Sequence, residues 1–180
     1  MDRTTSPEST RAFVSLGSNI RPGFHLPRAV ELLRGRLRVE AVSSLYASEA
    51  LGAPDSPPFL NAAVSVLTDL PARELKFDVL RPLEREMGRV RGGDRNAPRE
   101  IDLDLSLYGD RVLRLAVDGV DVPDPDIVRA AHVILPLAEI APDLPHPVTG
   151  VSLRELAAPF RRSPGIRIAG EIPLAPADTP

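Results

Sequence analysis

An α+β fold is what the sequence predicts, on two observations. As far as Tyr108, segments with the two-residue period of strands alternate with segments of helical period, in the order β-α-β, β-α-β, before a mixed C-terminal part. Turn-forming residues separate these segments, and no internal repeat interrupts the order. A doubled βαβ unit closes as a ferredoxin-like antiparallel sheet with helices packed on it, an α/β/α layered sandwich.

Taken in order, Arg11 to Leu16 reads as a first strand, and Gly17-Ser18-Asn19 as the turn ending it. Pro27 suits the first turn of a helix, with Ala29, Val30, Leu32 and Leu33 as its apolar face and Gly35 near its end. Val39 to Leu51 reads as one long strand, Gly52 to Pro58 as a loop and Phe59 to Leu67 as a third strand. Asn61 interrupts that apolar run, so a buried Asn61 needs hydrogen-bond partners. Thr68 or Asp69 is expected to cap a helix opened by Pro71, with Leu75, Val79, Leu80, Leu83 and Met87 facing the core. Pro82 should kink or split that helix, and Gly88 closes it. Arg89 to Arg99 is a basic, glycine-bearing loop. After the turn at Gly109-Asp110, Arg111 to Leu115 reads as a short strand and Val122 to Asp126 as extended chain. Asp126 is expected to cap a short helix through Ala131, Val133 to Leu137 to be core, and Val151 to Ala158 to form another short helix. Residues 1–10 read as a flexible tail, 11–158 as the domain, and 159–180 as a C-terminal extension expected to be partly disordered.

The strand before Gly109 carries the chemistry. Ile101, Leu103, Leu105 and Leu107 alternate with Asp102, Asp104, Ser106 and Tyr108, so the apolar set packs on a core and the two acids point together from the other face. Residues two apart on a strand are roughly 6.5 Å apart. Carboxylates at that span can share a pair of hard cations, and Mg²⁺ favours one or two carboxylates plus water and substrate phosphates. Arg99, just upstream, suits a phosphate bidentately. The plainer reading of alternating Asp is a solvated or edge-protecting face, but Asp is disfavoured in strands and two in one short strand favour function.

Composition narrows the classes. The chain has 180 residues, 43% hydrophobic and 26% charged, ordinary for one globular domain. A net charge of −3 gives no support for nucleic-acid binding. Without cysteine there is neither a disulfide framework nor a thiolate zinc site. No long apolar run or signal peptide is visible, so a cytoplasmic monomer with small-molecule partners and no membrane association is the default expectation. Lys76 is the only lysine among many arginines, which reads as a bias of composition; GxxxxGK[ST] is absent, which excludes P-loop chemistry.

Together the motifs resemble the 6-hydroxymethyl-7,8-dihydropterin pyrophosphokinase family: VSLGSN at 14–19, VSSLYASEALG at 42–52, FLNAAV at 59–64, GRVR at 88–91, APREIDLDLSLYG at 97–109 and LPLAEIAP at 135–142. The resemblance implies pyrophosphate transfer from ATP to the hydroxymethyl group of the dihydropterin, releasing AMP in folate biosynthesis. It implies Asp102 and Asp104 as ligands of two Mg²⁺ and Arg89 and Arg99 as catalytic arginines. Ser48, Leu51, Phe59, Asn61 and His132 would bind the pterin, and Arg89, Arg99, Leu105 and Arg129 the ATP. Four positions depart from the family pattern: Asp124 replaces a histidine, Ala130 an arginine beside Arg129, His132 an aromatic, and Asn96 a loop tryptophan. Those departures motivate a second reading, a non-catalytic pterin- or nucleotide-binding paralogue.

Overall fold

The structure, a computed structural model, describes residues 9–49, 57–90, 98–115 and 119–173. Among them six strands form one antiparallel sheet: β1 (Thr10–Ser18), β2 (Arg38–Val42), β3 (Leu45–Ser48), β4 (Phe59–Thr68), β5 (Asp102–Tyr108) and β8 (Ile166–Gly170). The order is β5-β1-β4-β3-β8, with β2 also on β4. β5 and β4 lie on either side of β1, within the antiparallel α+β sheet that the sequence predicts. The stretch 39–51 is not one strand: β2 and β3 are separated at Ser43-Ser44, where Ser43 donates from its backbone to the Ala63 carbonyl and accepts the Ala63 N–H on its hydroxyl. Leu51 lies outside the described residues. β8 falls in the segment read as an extension and pairs with β3. β6 (Leu113–Leu115) and β7 (Val120–Val122) make a separate hairpin.

Two cores lie on the two faces of the sheet. One joins Val14, Leu16, Leu103 and Leu105 to α1 (Pro22–Arg34) and to α2 (Ala72–Glu74) and α3 (Arg81–Glu86). The other joins Phe13, Ala63 and Leu107 to α4 (Ala131–Ile140) and α5 (Leu153–Ala157). Each fully buried Leu or Ile contributes about 1.5–3 kcal/mol by leaving water. α1 begins at Pro22, not Pro27, which lies inside the helix. α4 takes in Val133 to Leu137 as helix, where hydrophobicity alone gave only core. α5 starts with a Ser152–Glu155 capping box.

The split at Pro82 takes a particular form. Leu75–Leu80 is a π-helical stretch between α2 and α3, and Pro82 follows in the first turn of α3. Proline clashes with the carbonyl four residues back, and a wider turn before it relieves that clash.

β5 also corrects the simple alternation. Val14 pairs with Leu105 and Phe13 with Leu107, which leaves Ser106 as an extra, bulged residue. Past the bulge the faces exchange. Leu107 therefore packs with Phe13 under α4, and Tyr108 returns to the Leu103–Leu105 side.

Candidate functional site

Strand register gathers the site. Asp102 pairs with Gly17 and Gly17 with Asn61, which in turn faces Tyr46, while Asp104 pairs with Ser15. Paired residues share a face. Asp102 and Asp104 therefore lie on the same face as Asn61, and Phe59, two residues before Asn61 and opposite Ser48, joins them. α4 covers only part of this face, under the second core. Gly17 and Ser18, read as turn, are strand. A Cβ at Gly17 would lie 3.5 Å from Asn61 Oδ1 and 3.9 Å from Phe59 Cδ1, so its absence leaves the floor open between acid and amide.

The acidic end is dense with charge. Arg99 Nη1 donates to Asp102 Oδ2 at 2.6 Å, and Arg89 Nη2 lies 3.4 Å from Asp102 Oδ1. Among the described residues, Nε and Nη1 of Arg89 are buried without a hydrogen-bond partner. Guanidinium N–H groups seldom stay unsatisfied in burial, and an anionic oxygen would satisfy them. Asn19 fixes the Arg99 backbone: its Oδ1 accepts the Arg99 N–H at 2.8 Å, and the Arg99 carbonyl accepts from the N–H groups of Asn19 and Ile20. The Arg99 guanidinium also lies 5.7 Å from the Phe59 ring centroid.

Asp104, half exposed, receives a 2.9 Å hydrogen bond from Lys76 Nζ. The same ammonium, 3% exposed, donates to the Leu103 carbonyl at 2.7 Å. The Leu103 N–H donates to Glu84 Oε1 at 2.8 Å. The residue between the two acids therefore has both outward backbone groups held by charged side chains of the helical layer. Sequence reasoning passed over Lys76 and Glu84. The available signal was their place on the helical stripe of Leu80 and Leu83, where a charged residue needs a buried partner.

The donor set fits Mg²⁺. Two hard carboxylates share one face, and the described residues hold no cluster of three or more His, Cys, Asp or Glu able to take a metal. Mg²⁺ requires few protein ligands when water and phosphates complete its shell.

At the other end, Asn61 Nδ2 donates to the Tyr46 carbonyl at 3.1 Å and to Ser48 Oγ at 2.9 Å, leaving Oδ1 beside Gly17. Glu139 of α4 pins β3 by accepting from the Ser44 N–H, the Ser44 hydroxyl and the Tyr46 hydroxyl. Burial first, and then Glu139, push the Tyr46 phenol well above its ordinary range. His132 lies near the start of α4 in a cleft of about 290 Å³ with Ser48, Glu49 and Arg129, walled on the far side by Phe160 and 163–166. Burial lowers its pKa and keeps the imidazole neutral. Phe59 is not among the walls of that cleft.

Other expected site residues are placed differently. The Leu105 side chain is buried in the core on the face away from the acids, so an ATP contact at this position would be made by its backbone. Arg129 is exposed and paired with Asp126 at 2.8 Å. Asp124, not Asp126, caps the helical turn Pro125–Val128: its Oδ1 accepts the Asp126 N–H at 2.8 Å, while its own N–H reaches the Ser106 carbonyl. Burial raises the Asp124 carboxyl to about 6, and the nearby Asp104 charge adds to the rise. Asn96 lies outside the described residues.

Comparison with known proteins gives first the class of fold. A crystal structure of wild-type Plasmodium falciparum HPPK-DHPS with pterin and p-hydroxybenzoate superposes with a TM-score of 0.66 at 14% identity, over 87% of this chain and 44% of that one. The match is to less than half of that longer chain and establishes the fold. The family follows from sequence. The model for 7,8-dihydro-6-hydroxymethylpterin-pyrophosphokinase matches residues 13–142, and the chain belongs to that family. It is 39% identical over 163 residues to the 2-amino-4-hydroxy-6-hydroxymethyldihydropteridine pyrophosphokinase of Pseudomonas aeruginosa, covering 86% of this chain and 98% of that one. It is 35% identical over 150 residues to the folic acid synthesis protein fol1 of Pneumocystis carinii, but spans only 20% of that longer protein. No helix among the described residues is long and apolar enough to cross a membrane.

Proposed function

We propose that this chain transfers pyrophosphate from ATP to the hydroxymethyl group of 6-hydroxymethyl-7,8-dihydropterin and releases AMP. The observation that carries the reading is the single sheet face on which Asp102, Asp104, Gly17, Asn61 and Phe59 stand in register, with Arg89 and Arg99 closing its acidic end. The substrate hydroxyl oxygen forms the new bond to the β-phosphorus and gives up its proton to water, the bond from that phosphorus to the α-bridging oxygen breaks, and AMP leaves with the electron pair. No side chain needs to act as nucleophile, so the protein supplies position and charge. Arg89 receives phosphate oxygens on its unpartnered Nε and Nη1, and Arg99 turns from Asp102 towards the transferring group. Asn61 Oδ1 accepts an N–H of the heterocycle, whose ring lies over Gly17 beside Phe59. Ser48 and His132 border that end, and neutral His132 offers a ring face. Asp102 and Asp104 would hold two Mg²⁺, which supply charge neutralisation of the polyphosphate.

The test is an AMP-release assay with ATP, Mg²⁺ and the hydroxymethyl dihydropterin. AMP and dihydropterin diphosphate in equal amounts are expected. Intact pterin binding with no AMP would make the chain a non-catalytic binding protein instead.

A further inference from the structure

The only lysine of the chain sits against Asp104 and the Leu103 carbonyl. We propose that Lys76 is a positioning residue that holds Asp104 and keeps the acid pair from loading a divalent cation until a nucleotide brings its phosphates. The proposal rests on the reading of Asp102 and Asp104 as metal ligands.

Three observations carry it. First, Lys76 cannot leave: its side chain is 3% exposed and its ammonium is shared between Asp104 Oδ1 and the Leu103 carbonyl. The cations at Asp102 are less enclosed, with the side chains of Arg89 and Arg99 12% and 21% exposed. Second, the ammonium arrives from a π-helical stretch, which places it at the edge of β5 and under the outward backbone of Leu103. A tether to that carbonyl fixes the strand between the two acids. Third, the balance of charge around Asp104 depends on it. Among the described residues, the acids around this point are Asp102, Asp104, Glu84 and Asp124, and the cations are Lys76, Arg89 and Arg99. Among the described residues Lys76 is the cation hydrogen-bonded to Asp104, and its charge also acts on Asp124. With that charge removed, Asp104 and Asp124 become an uncompensated acidic pair, an attractive seat for a bare divalent ion. With it present, such an ion meets a resident positive charge at short range. A metal–nucleotide complex is anionic overall and does not meet that barrier.

Mn²⁺ binding to the full chain, followed by electron paramagnetic resonance with and without a non-hydrolysable ATP analogue, tests the idea. Lys76→Gln keeps a donor for Leu103 and loses the charge; it is expected to bind Mn²⁺ at least fivefold more tightly without nucleotide. Turnover of that variant at saturating Mg²⁺ should fall about tenfold, because Asp104 loses its anchor. Lys76→Arg keeps the charge and should retain the wild-type Mn²⁺ affinity without nucleotide. Lys76→Met repeats the neutral arm with an apolar chain of similar length, should the glutamine variant not fold. Unchanged or weaker Mn²⁺ affinity in the neutral variants overturns the proposal, as does tightening in Lys76→Arg equal to that in Lys76→Gln. Asp104→Asn separates this failure from failure of the metal reading: if that variant binds Mn²⁺ with the analogue as the wild type does, the acid pair is not the metal site.

Discussion

At the β5 end of the site, Asp102 and Asp104 are held by Arg89, Arg99 and Lys76, whereas at the β3–β4 end Asn61 is held by a backbone carbonyl and a serine hydroxyl. In the first arrangement the arginine pairs on Asp102 are ones an incoming polyanion can rearrange, while the buried Lys76 stays on Asp104. The second is made of neutral hydrogen bonds within the sheet, and a ligand meets it already set. One end is therefore suited to charge that moves during a reaction, and the other to a neutral ring that must be oriented once.

Breaking the charged end should have the largest effect. Asp102→Asn or Asp104→Asn is expected to lower turnover on the order of 10³-fold, with circular dichroism and thermal unfolding close to wild type; normal Mg²⁺-dependent rates in both would end the metal assignment. Arg99→Ala is expected to cost about 10²-fold in kcat and little in pterin affinity. Pre-steady-state kinetics separate the two, and an equal loss in both would move Arg99 away from the phosphates. At the neutral end the pattern reverses: Asn61→Ala should weaken pterin binding about tenfold, read by calorimetry, with a smaller change in the chemical step. Gly17→Ala sharpens the comparison, since the added methyl finds ordinary van der Waals spacing in the sheet. It should leave the melting temperature nearly unchanged, raise KM for the pterin by a few-fold and leave ATP affinity alone.

Asp124→Asn should change stability rather than turnover or binding. The folded carboxyl near 6 exceeds its unfolded value of 3.8, so the folded state binds the proton more tightly. Ionised Asp124 therefore destabilises the fold above about pH 6, and the penalty fades as pH falls towards 4. Asparagine keeps the cap to the Asp126 N–H without the charge. In metal-free protein the variant should gain about 2 kcal/mol at pH 7.5 and almost nothing at pH 4. Denaturant unfolding at both pH values checks the sign.

The fold class and the shared face of the two acids were legible because they depend on period, which residues 101–104 display directly. The Ser106 bulge was not, because serine suits either face and the run of alternation continues through Tyr108 without a break. The first helix was misplaced because Pro22 and Pro27 both satisfy the same first-turn argument. α4 was missed because Pro136 and a nearly all-apolar composition hide its helical period. Leu105 was assigned by alignment to a ligand, but its side chain obeys the strand period and goes to the core. Lys76 was set aside as compositional, because a single residue has no pattern and its meaning lies in a partner 28 positions away.

The wide turn ahead of Pro82 sets the rotational phase of everything before it. Excising one residue from Leu75–Leu80 would turn the preceding side chains by roughly 100° about the axis. The ammonium would then swing off the β5 edge, and no other lysine exists to replace it. A single-codon deletion there would turn Leu75 from the core along with the ammonium, and so disconnect the helical layer from the acids.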